Sequence, residues 1–229
     1  MKNLLIYIGL EPKFSEEHEI LTKIQIDNSL ELGWKIEDIL LVTDFPWEYR
    51  GVKSCVVKGS FNALDGNRSS KISVINTLFD MGKIRDGDTM WFHDHDAFQL
   101  EPMDELRLYP KVAAFTIDQK SQGWNAGSFF FTRGAVDMFQ KIYDTMMERN
   151  TNEQDALTHL WKQNFSQDYI ILNDTYNLGI YHKGIYDRPL IVAHFHPHKP
   201  RHLNLFRDLI PKRLLKIFKE YGLESTETS

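Results

Sequence analysis

The chain has little cysteine and no long apolar run, and both shortages exclude whole classes of protein. Its 229 residues include a single cysteine, Cys55, which excludes an intrachain disulfide and a metal site built from cysteines. The longest apolar runs, such as residues 4–10, are far shorter than the roughly 20 residues that cross a bilayer. The first residues also lack the charged, apolar and small-residue regions of a secretory signal. We therefore expect a cytoplasmic protein without a membrane-spanning helix.

Common nucleotide and nucleic-acid motifs are missing as well. The sequence has neither a GxxxxGK[ST] P-loop nor a GxGxxG fingerprint, which disfavours kinases, ATPases and dehydrogenases. It has no RNA-binding or helix-turn-helix signature, so we expect no nucleic-acid partner. The net charge of −5 conceals a basic part, because residues 183–219 hold nine Lys or Arg and two Asp, a net charge of +7. Composition alone does not choose among ligand phosphates, nucleic acid and a membrane surface as the anionic group that this part meets.

Apolar runs that alternate with helical patterns predict an α/β fold. The predicted strands are residues 3–9, 37–43, 54–58, 89–92, 112–116, 128–132 and 191–195, and the predicted helices are residues 17–32, 69–81, 135–147, 152–161 and about 211–221. Such alternation predicts parallel strand pairing with right-handed crossovers, as in a Rossmann-like half. The length fits one domain, which we place at residues 1–224, followed by a disordered tail at 225–229.

Two aspartates, Asp94 and Asp96, follow directly after the predicted strand at 89–92. Because side chains alternate along a strand, residues two apart point the same way, and both carboxylates can reach one hard cation. A second Asp-x-Asp pair lies in the turn at 86–88, so the spacing alone does not define a site. The pair at 94 and 96 differs because it follows apolar residues and is interleaved with histidines. We interpret it as a metal site, and a plain acidic loop is the alternative.

A second group of candidate residues follows the last predicted strand, in the segment 194–200 with the sequence HFHPHKP. Its three imidazoles suit a transition-metal ion. Lys199, on a flexible stem, suits a phosphate group as a point charge. The alternative is a polar loop that happens to be rich in histidine. Because it accompanies the acidic pair, we interpret the segment as part of a functional site.

A strand, the DHD triplet at 94–96 and the distant HFHPHKP segment together resemble the GT-A glycosyltransferases. The similarity is greatest to the glycogenin-like and galactosyl- or xylosyltransferase families, which have a DxD motif and an HFxGxKP-type segment. It covers most of the chain and implies a single GT-A (Rossmann-like) domain, with a mixed, mainly parallel central sheet flanked by helices. One departure is Pro197, which stands where the family segment has glycine.

The resemblance also implies roles for individual residues. It implies a site for Mn²⁺, or Mg²⁺, that is formed by Asp94, Asp96 and His194. It implies a nucleotide-sugar donor, expected to be a UDP-sugar, whose diphosphate contacts Lys199 and, at the metal site, Asp94. The base, ribose and phosphates of the donor are expected near the ends of the first strands and the start of the second helix, at Tyr7, Ile8, Gly9, Asp44, Arg68 and Lys71. For Arg68 and Lys71 a surface role is the alternative.

Two further segments are similar to the sugar- and acceptor-binding segments of the family. They are residues 123–127, which include Asn125, and residues 152–155, which include Asp155. We expect Asn125 and Asp155 near the reacting sugar, with Asp155 as a positioning carboxylate. The alternatives are a turn before a strand for the first segment and the capped start of a helix for the second.

The sequence therefore predicts an enzyme that transfers a sugar to a hydroxyl group of a glycan, lipid or protein acceptor, and the resemblance implies retention of configuration. Two other functions stay open, a metal-dependent phosphohydrolase and a nucleotide- or glycan-binding module without turnover. The basic helix at about 211–221 has an apolar arc, which we expect to pack on the domain. Peripheral contact with a membrane is the alternative use of that arc.

Overall fold

A computed structural model of the chain describes residues 1–59, 61, 70–103, 110–118, 123–163, 169–180 and 189–223. Arg68 and the expected tail at 225–229 lie outside the described residues. The described strands are β1 (Lys2–Tyr7), β2 (Ile39–Thr43), β3 (Glu48–Tyr49), β4 (Val52–Lys53), β5 (Cys55–Val56), β6 (Thr89–His93), β7 (Ala97–Gln99), β8 (Ala113–Asp118), β9 (Gly123–Thr132), β10 (Tyr169–Leu172), β11 (Leu178–Gly179) and β12 (Val192–His194). The described α-helices are α1 (Glu16–Glu31), α2 (Ser70–Asp80), α3 (Val136–Arg149), α4 (Glu153–Lys162), α5 (Pro200–Phe206) and α6 (Lys212–Glu220).

The central sheet has seven strands in the order β10-β8-β9-β6-β1-β2-β5. Strand β1 pairs in parallel with both β2 and β6, and β2 pairs in parallel with β5. Strand β9 runs antiparallel to its neighbours β6 and β8, whereas β8 and β10 are parallel. The α/β fold with a mixed, mainly parallel sheet is thus confirmed.

Both faces of this sheet are apolar, as expected for a sheet covered by helices on both sides. Because side chains alternate along a strand, Leu4 and Ile6 face one side, and Leu5 faces the other. The first side packs against α2, α3 and α4 in the largest apolar cluster. The second side packs against α1 and against the residues that join a smaller sheet. The strands of the central sheet are therefore buried between two layers.

The smaller sheet has three short strands in the order β11-β12-β7. It packs against α1, α5 and α6 in a second apolar cluster, which includes Phe98, Phe195 and Phe218. The apolar arc of α6, formed by Leu214, Ile217 and Phe218, is buried in this cluster. The arc that the sequence predicts thus packs on the protein. No helix among the described residues is long and apolar enough to cross a membrane.

Most predicted elements lie within two residues of their observed bounds, and the exceptions are informative. Strand β9 begins at Gly123 rather than at residue 128, so the turn considered for 123–127 is wrong. Strands β7 and β10, the β3–β4 hairpin and helix α5 were not predicted. Helix α1 does end where glycine predicts it, because Gly33 has a φ of +87° and its N–H donates to Leu30 O at 3.0 Å.

Candidate active site

A cavity with a volume of about 630 Å³ lies at the carboxyl ends of β1 and β6. The chain places β2 on one side of β1 and β6 on the other, so this is the point where the strand order switches direction. Ligands of open α/β sheets bind at such points. Tyr7 and Ile8 line the cavity after β1, and Asp94 and Asp96 line it after β6. The size suits a small-molecule ligand.

The smaller sheet brings His194 to Asp96, which is 98 residues distant in sequence. In the antiparallel pairing of β12 with β7, His194 lies opposite Ala97. The N–H of Phe195 donates to Asp96 O at 2.8 Å and extends this pairing by one step. As a result, His194 Nε2 lies 3.1 Å from Asp96 Oδ1. We call these two residues the Asp96–His194 pair.

The side chains of Asp94, Asp96 and His194 have the spacing of a cation site. One ligand atom from each lies within 4.8 Å of the others. Asp96 Oδ1 and His194 Nε2 are within hydrogen-bond distance at 3.1 Å, and this separation is also compatible with two ligand atoms that are each about 2.1 Å from one ion. Two carboxylates and one imidazole suit a divalent ion of the first transition row. The residues present therefore fit the expected metal.

Burial and neighbouring charge shift the pKa values of these groups in different directions. Burial raises the pKa of Asp94 above its usual value, even though Lys71 acts to lower it. Burial also acts to raise the pKa of Asp96, but the adjacent His194 and His196 outweigh it and hold that pKa well below the usual range. Burial acts to lower the pKa of His194, and the two aspartates raise it above its usual value. Negative charge is therefore held most firmly on Asp96.

A buried ammonium group forms another wall of the cavity, next to Asp94. Lys71 is 9% exposed, and its Nζ donates to Asp94 Oδ1 at 2.8 Å and to Ala126 O at 3.1 Å. It also lies 3.1 Å from Glu153 Oε1. Burial acts to lower the pKa of Lys71, but Asp94 and Glu153 outweigh it and raise that pKa. We call Lys71, Asp94 and Glu153 the lysine cluster, and its contacts occupy the ammonium donors that a phosphate would need.

An amide from α1 holds the loop that carries the aspartates. Gln25 is buried, and its Nε2 lies 2.8 Å from Ala97 O, 3.2 Å from His95 O and 3.4 Å from Asp94 O. One turn further along α1, Asn28 Nδ2 donates to Gln99 O at 2.8 Å. These side chains satisfy carbonyl groups on the β7 side of the loop, so helix α1 fixes the backbone between the two sheets.

The segment 152–155 reaches the cavity through residues other than the expected one. Asn152 caps α4 by accepting from the N–H of Asp155 at 2.9 Å, so the capped helix start considered for this segment is present. The Asp155 carboxylate is exposed and accepts from Asn152 Nδ2 at 3.0 Å, and it does not line the cavity. Glu153 and Gln154 line it instead. Glu153 Oε2 is buried and has no hydrogen-bond partner among the described residues.

Asn125 and Gly127, both on β9, line the same cavity. Asn125 Oδ1 accepts from the N–H of Gly127 at 3.1 Å, and the Asn125 main-chain oxygen accepts from Asn177 Nδ2 at 3.3 Å. A Cβ atom added to Gly127 would overlap the imidazole ring of His194. Gly127 is therefore the residue that lets His194 lie flat against β9.

The remaining expected residues differ in how near they lie to the cavity. Gly9 is buried in a tight turn, where a Cβ atom would come within 2.9 Å of Lys13 O. Asp44 follows β2 outside the cavity lining, and its Oδ1 is buried without a hydrogen-bond partner. Lys199 is exposed at the start of α5, also outside the lining. Burial lowers the pKa of His196 and His202, and the charge of Lys199 acts in the same direction, so Lys199 lies close to both histidines.

This architecture is similar to that of several solved structures. No protein-family model and no curated sequence matches the chain. Among solved structures, it is similar to the galactosyltransferase LgtC in complex with donor and acceptor sugar analogues, with a TM-score of 0.61 and 14% identity over 99% of this chain and 97% of that one. It is also similar to the glycosyltransferase GlyE of Streptococcus pneumoniae, with a TM-score of 0.60 and 13% identity over the whole of this chain. The chain has the fold of these glycosyltransferases.

A third solved structure extends the comparison. It is a glycosyltransferase involved in the glycosylation of the major capsid of PBCV-1, with a TM-score of 0.57 and 11% identity over 85% of this chain and 93% of that one. The chain spans 66% of the length of GlyE, so GlyE contains residues with no counterpart here. The GT-A fold that the sequence resemblance implied is confirmed.

Proposed function

We propose that the chain is a metal-dependent glycosyltransferase that uses a nucleotide-sugar, in particular a UDP-sugar, and transfers the sugar to a hydroxyl acceptor with retention of configuration. One observation carries the proposal. Asp94 and Asp96, in the loop between β6 and β7, meet His194 of β12 with ligand spacing in the cavity at the switch point. The donor and acceptor sugar analogues bound to the similar LgtC structure support a nucleotide-sugar donor and a glycan acceptor.

In this proposal Asp94, Asp96 and His194 hold Mn²⁺ or Mg²⁺. When bound there, the ion supplies a Lewis acid next to the departing diphosphate, where negative charge grows. The lysine cluster has a separate role. Lys71 holds the Asp94 carboxylate through both of its oxygens, at 2.8 and 3.1 Å, and so fixes its orientation toward the cavity.

The donor sugar is positioned by polar groups on the other side of the cavity. Asn125, Glu153 and Gln154 all line it. Gln154 Oε1 accepts from the N–H of Ala126 at 3.3 Å, which leaves its amide NH₂ for a sugar or acceptor hydroxyl. Glu153 Oε2, buried and unpaired among the described residues, is an acceptor for a further hydroxyl. These residues take the positioning role that the sequence assigned to Asp155.

The nucleoside part of the donor binds near the ends of β1 and β2. Tyr7 and Ile8 line the cavity there, and the unpaired Asp44 Oδ1 is a nearby acceptor for a ribose hydroxyl or a base N–H. Gly9 keeps the turn after β1 narrow. Lys199 contacts the donor diphosphate once its exposed side chain points toward the cavity across the loop between β12 and α5. A point charge in this position stabilises the leaving group.

A transfer assay with a panel of nucleotide-sugars, with and without Mn²⁺, tests the proposal. Asp96→Ala and His194→Ala should each abolish metal-supported transfer without unfolding the protein. Asp86→Ala is the matched control, because Asp86 belongs to the other Asp-x-Asp pair and its side chain is 97% exposed. Full activity in either ligand variant contradicts the metal site. Phosphate release from simple esters would identify a phosphohydrolase, and binding without turnover would identify a binding module.

A further inference from the structure

Two histidines and a glutamate lie beside the active site without a role in the proposed transfer. His198 Nε2 lies 2.6 Å from Glu17 Oε1, which connects the loop after β12 to the first turn of α1. His196 lies in the same loop, and its Nδ1 is 3.2 Å from Asp96 Oδ2 without the alignment of a hydrogen bond. Glu17, His196 and His198 each offer one ligand atom, and these atoms lie within 4.8 Å of one another.

The group has the chemistry of a transition-metal site rather than that of a simple ion pair. A largely solvent-accessible pair such as Glu17 and His198 contributes little to stability. Two imidazoles with one carboxylate, in contrast, form a ligand set that suits Zn²⁺, Co²⁺ or Ni²⁺. His196 Nδ1 lies 3.2 Å from Asp96 Oδ2 and makes no aligned hydrogen bond among the described residues. One ring nitrogen of His196 lies within 4.8 Å of ligand atoms of Glu17 and His198.

We infer that Glu17, His196 and His198 form a second metal site, which takes a transition-metal ion of the Zn²⁺ class and lies at the mouth of the cavity. Its ligands do not include Asp94, Asp96 or His194, so its ligand set is distinct from that of the site proposed for catalysis. The two sites are neighbours, because His196 Nδ1 lies 3.2 Å from Asp96 Oδ2. Three protein ligands leave at least one coordination position open to solvent or to a bound molecule. An ion held there ties the N-terminal turn of α1 to the loop that precedes α5.

Titration of the chelator-treated protein with Co²⁺ tests this inference, because the visible absorption of Co²⁺ reports coordination by protein ligands. His198→Ala and Glu17→Gln should each remove one bound ion or raise its Kd by more than the roughly 10- to 100-fold cost of losing a supporting residue. Glu16→Gln and His159→Ala are matched controls, because neither residue belongs to a described metal-ligand group. Circular dichroism without metal checks that each variant is folded.

The same titration in an Asp94→Ala background separates the two sites. We expect this background to retain one Co²⁺ ion, which is then lost when His198→Ala is added. If neither His198→Ala nor Glu17→Gln changes the stoichiometry or the Kd, the inference is overturned, and Glu17 and His198 form only an ion pair. If the ion depends on His198 while transfer needs no metal, the second site stands and the proposed function fails.

Discussion

The two walls of the cavity use charge in opposite ways. In the lysine cluster, the side chain of Lys71 is 11% exposed and that of Glu153 is 10% exposed, and the ammonium group contacts both carboxylates. The Asp96–His194 pair is also partly buried, at 16% and 23% exposed, and its two side chains contact each other at 3.1 Å, but together with Asp94 they can also hold a metal ion. We infer that the first wall stabilises the folded protein, whereas the second serves binding.

The largest expected effect is on the lysine cluster. Lys71→Met should lower the free energy of unfolding by about 3 kcal/mol, because it leaves the buried Glu153 carboxylate and the partly buried Asp94 carboxylate without their cation. Denaturant unfolding measures the loss. His194→Gln should change stability less, by about 1 kcal/mol, because the glutamine amide can still donate a hydrogen bond to Asp96.

A compensating variant makes this contrast sharper. Adding Glu153→Gln to Lys71→Met removes one of the two uncompensated charges and should recover part of the lost stability. A Lys71→Met variant as stable as the wild-type protein would show that the cluster contributes nothing to folding, and the comparison between the walls would fail.

The next largest effect is expected at Lys199, in the segment that follows His194. Lys199→Ala should lower kcat on the order of a hundredfold, which corresponds to the loss of about 3 kcal/mol of transition-state stabilisation. Donor binding should change much less. Lys199→Arg should restore part of the rate, because it keeps the charge but changes its shape. Steady-state kinetics with saturating metal measure both constants.

Arg201→Ala is the control for Lys199, because Arg201 is an exposed cation on the same helix. Its effect should be within about twofold. An unchanged kcat with a raised KM in Lys199→Ala would mean that the lysine binds ground state and transition state equally, which contradicts a leaving-group role.

A third variant, Gly127→Ala, has a somewhat smaller expected effect and tests how β9 supports the Asp96–His194 pair. Gly127→Ala should lower transfer by up to about a hundredfold, because the new methyl group overlaps the His194 ring and displaces it from Asp96. The double variant Gly127→Ala/His194→Ala should be no less active than His194→Ala alone, since both changes act on one ligand. Additive losses would indicate that Gly127 acts through the backbone and not through His194.

These contrasts also explain what the sequence could predict. Asp94 and Asp96 were predicted because an apolar strand changes to charge within one step, which is a local pattern. The approach of His194 to Asp96 was implied only by resemblance, because the strands that join them have three residues each and pair across a long stretch of chain. No local periodicity reveals such a pairing.

The glycines of β9 were misleading for a related reason. Gly123 and Gly127 favour a turn on local propensity, but both lie in an antiparallel strand. Glycine is needed at position 127 because the ring of His194 packs against it. Local propensity cannot predict this tertiary contact. Glu153 was missed because a glutamate at a helix start ordinarily serves the helix dipole, and only the fold shows that it meets Lys71.

The smallest effect is expected at Gln25, which acts on the metal site only through the backbone. Gln25→Met keeps the length of the side chain but removes the amide that contacts three carbonyl oxygens of the aspartate loop. Loss of a residue that supports metal ligands typically costs about 10- to 100-fold in metal affinity. Because Gln25 contacts no ligand side chain, we expect the lower end, with about a tenfold higher Mn²⁺ concentration needed for half-maximal transfer.

The matched control for Gln25 is Gln140→Met, because Gln140 is exposed on α3 and bonds only to Asp144 among the contacts described. It should leave the Mn²⁺ requirement unchanged. At saturating Mn²⁺, Gln25→Met should regain most of its kcat, since the ligands themselves are intact. A kcat that stays low at every Mn²⁺ concentration would mean that Gln25 affects the sugar-binding wall as well, and the two walls would then share one support on α1.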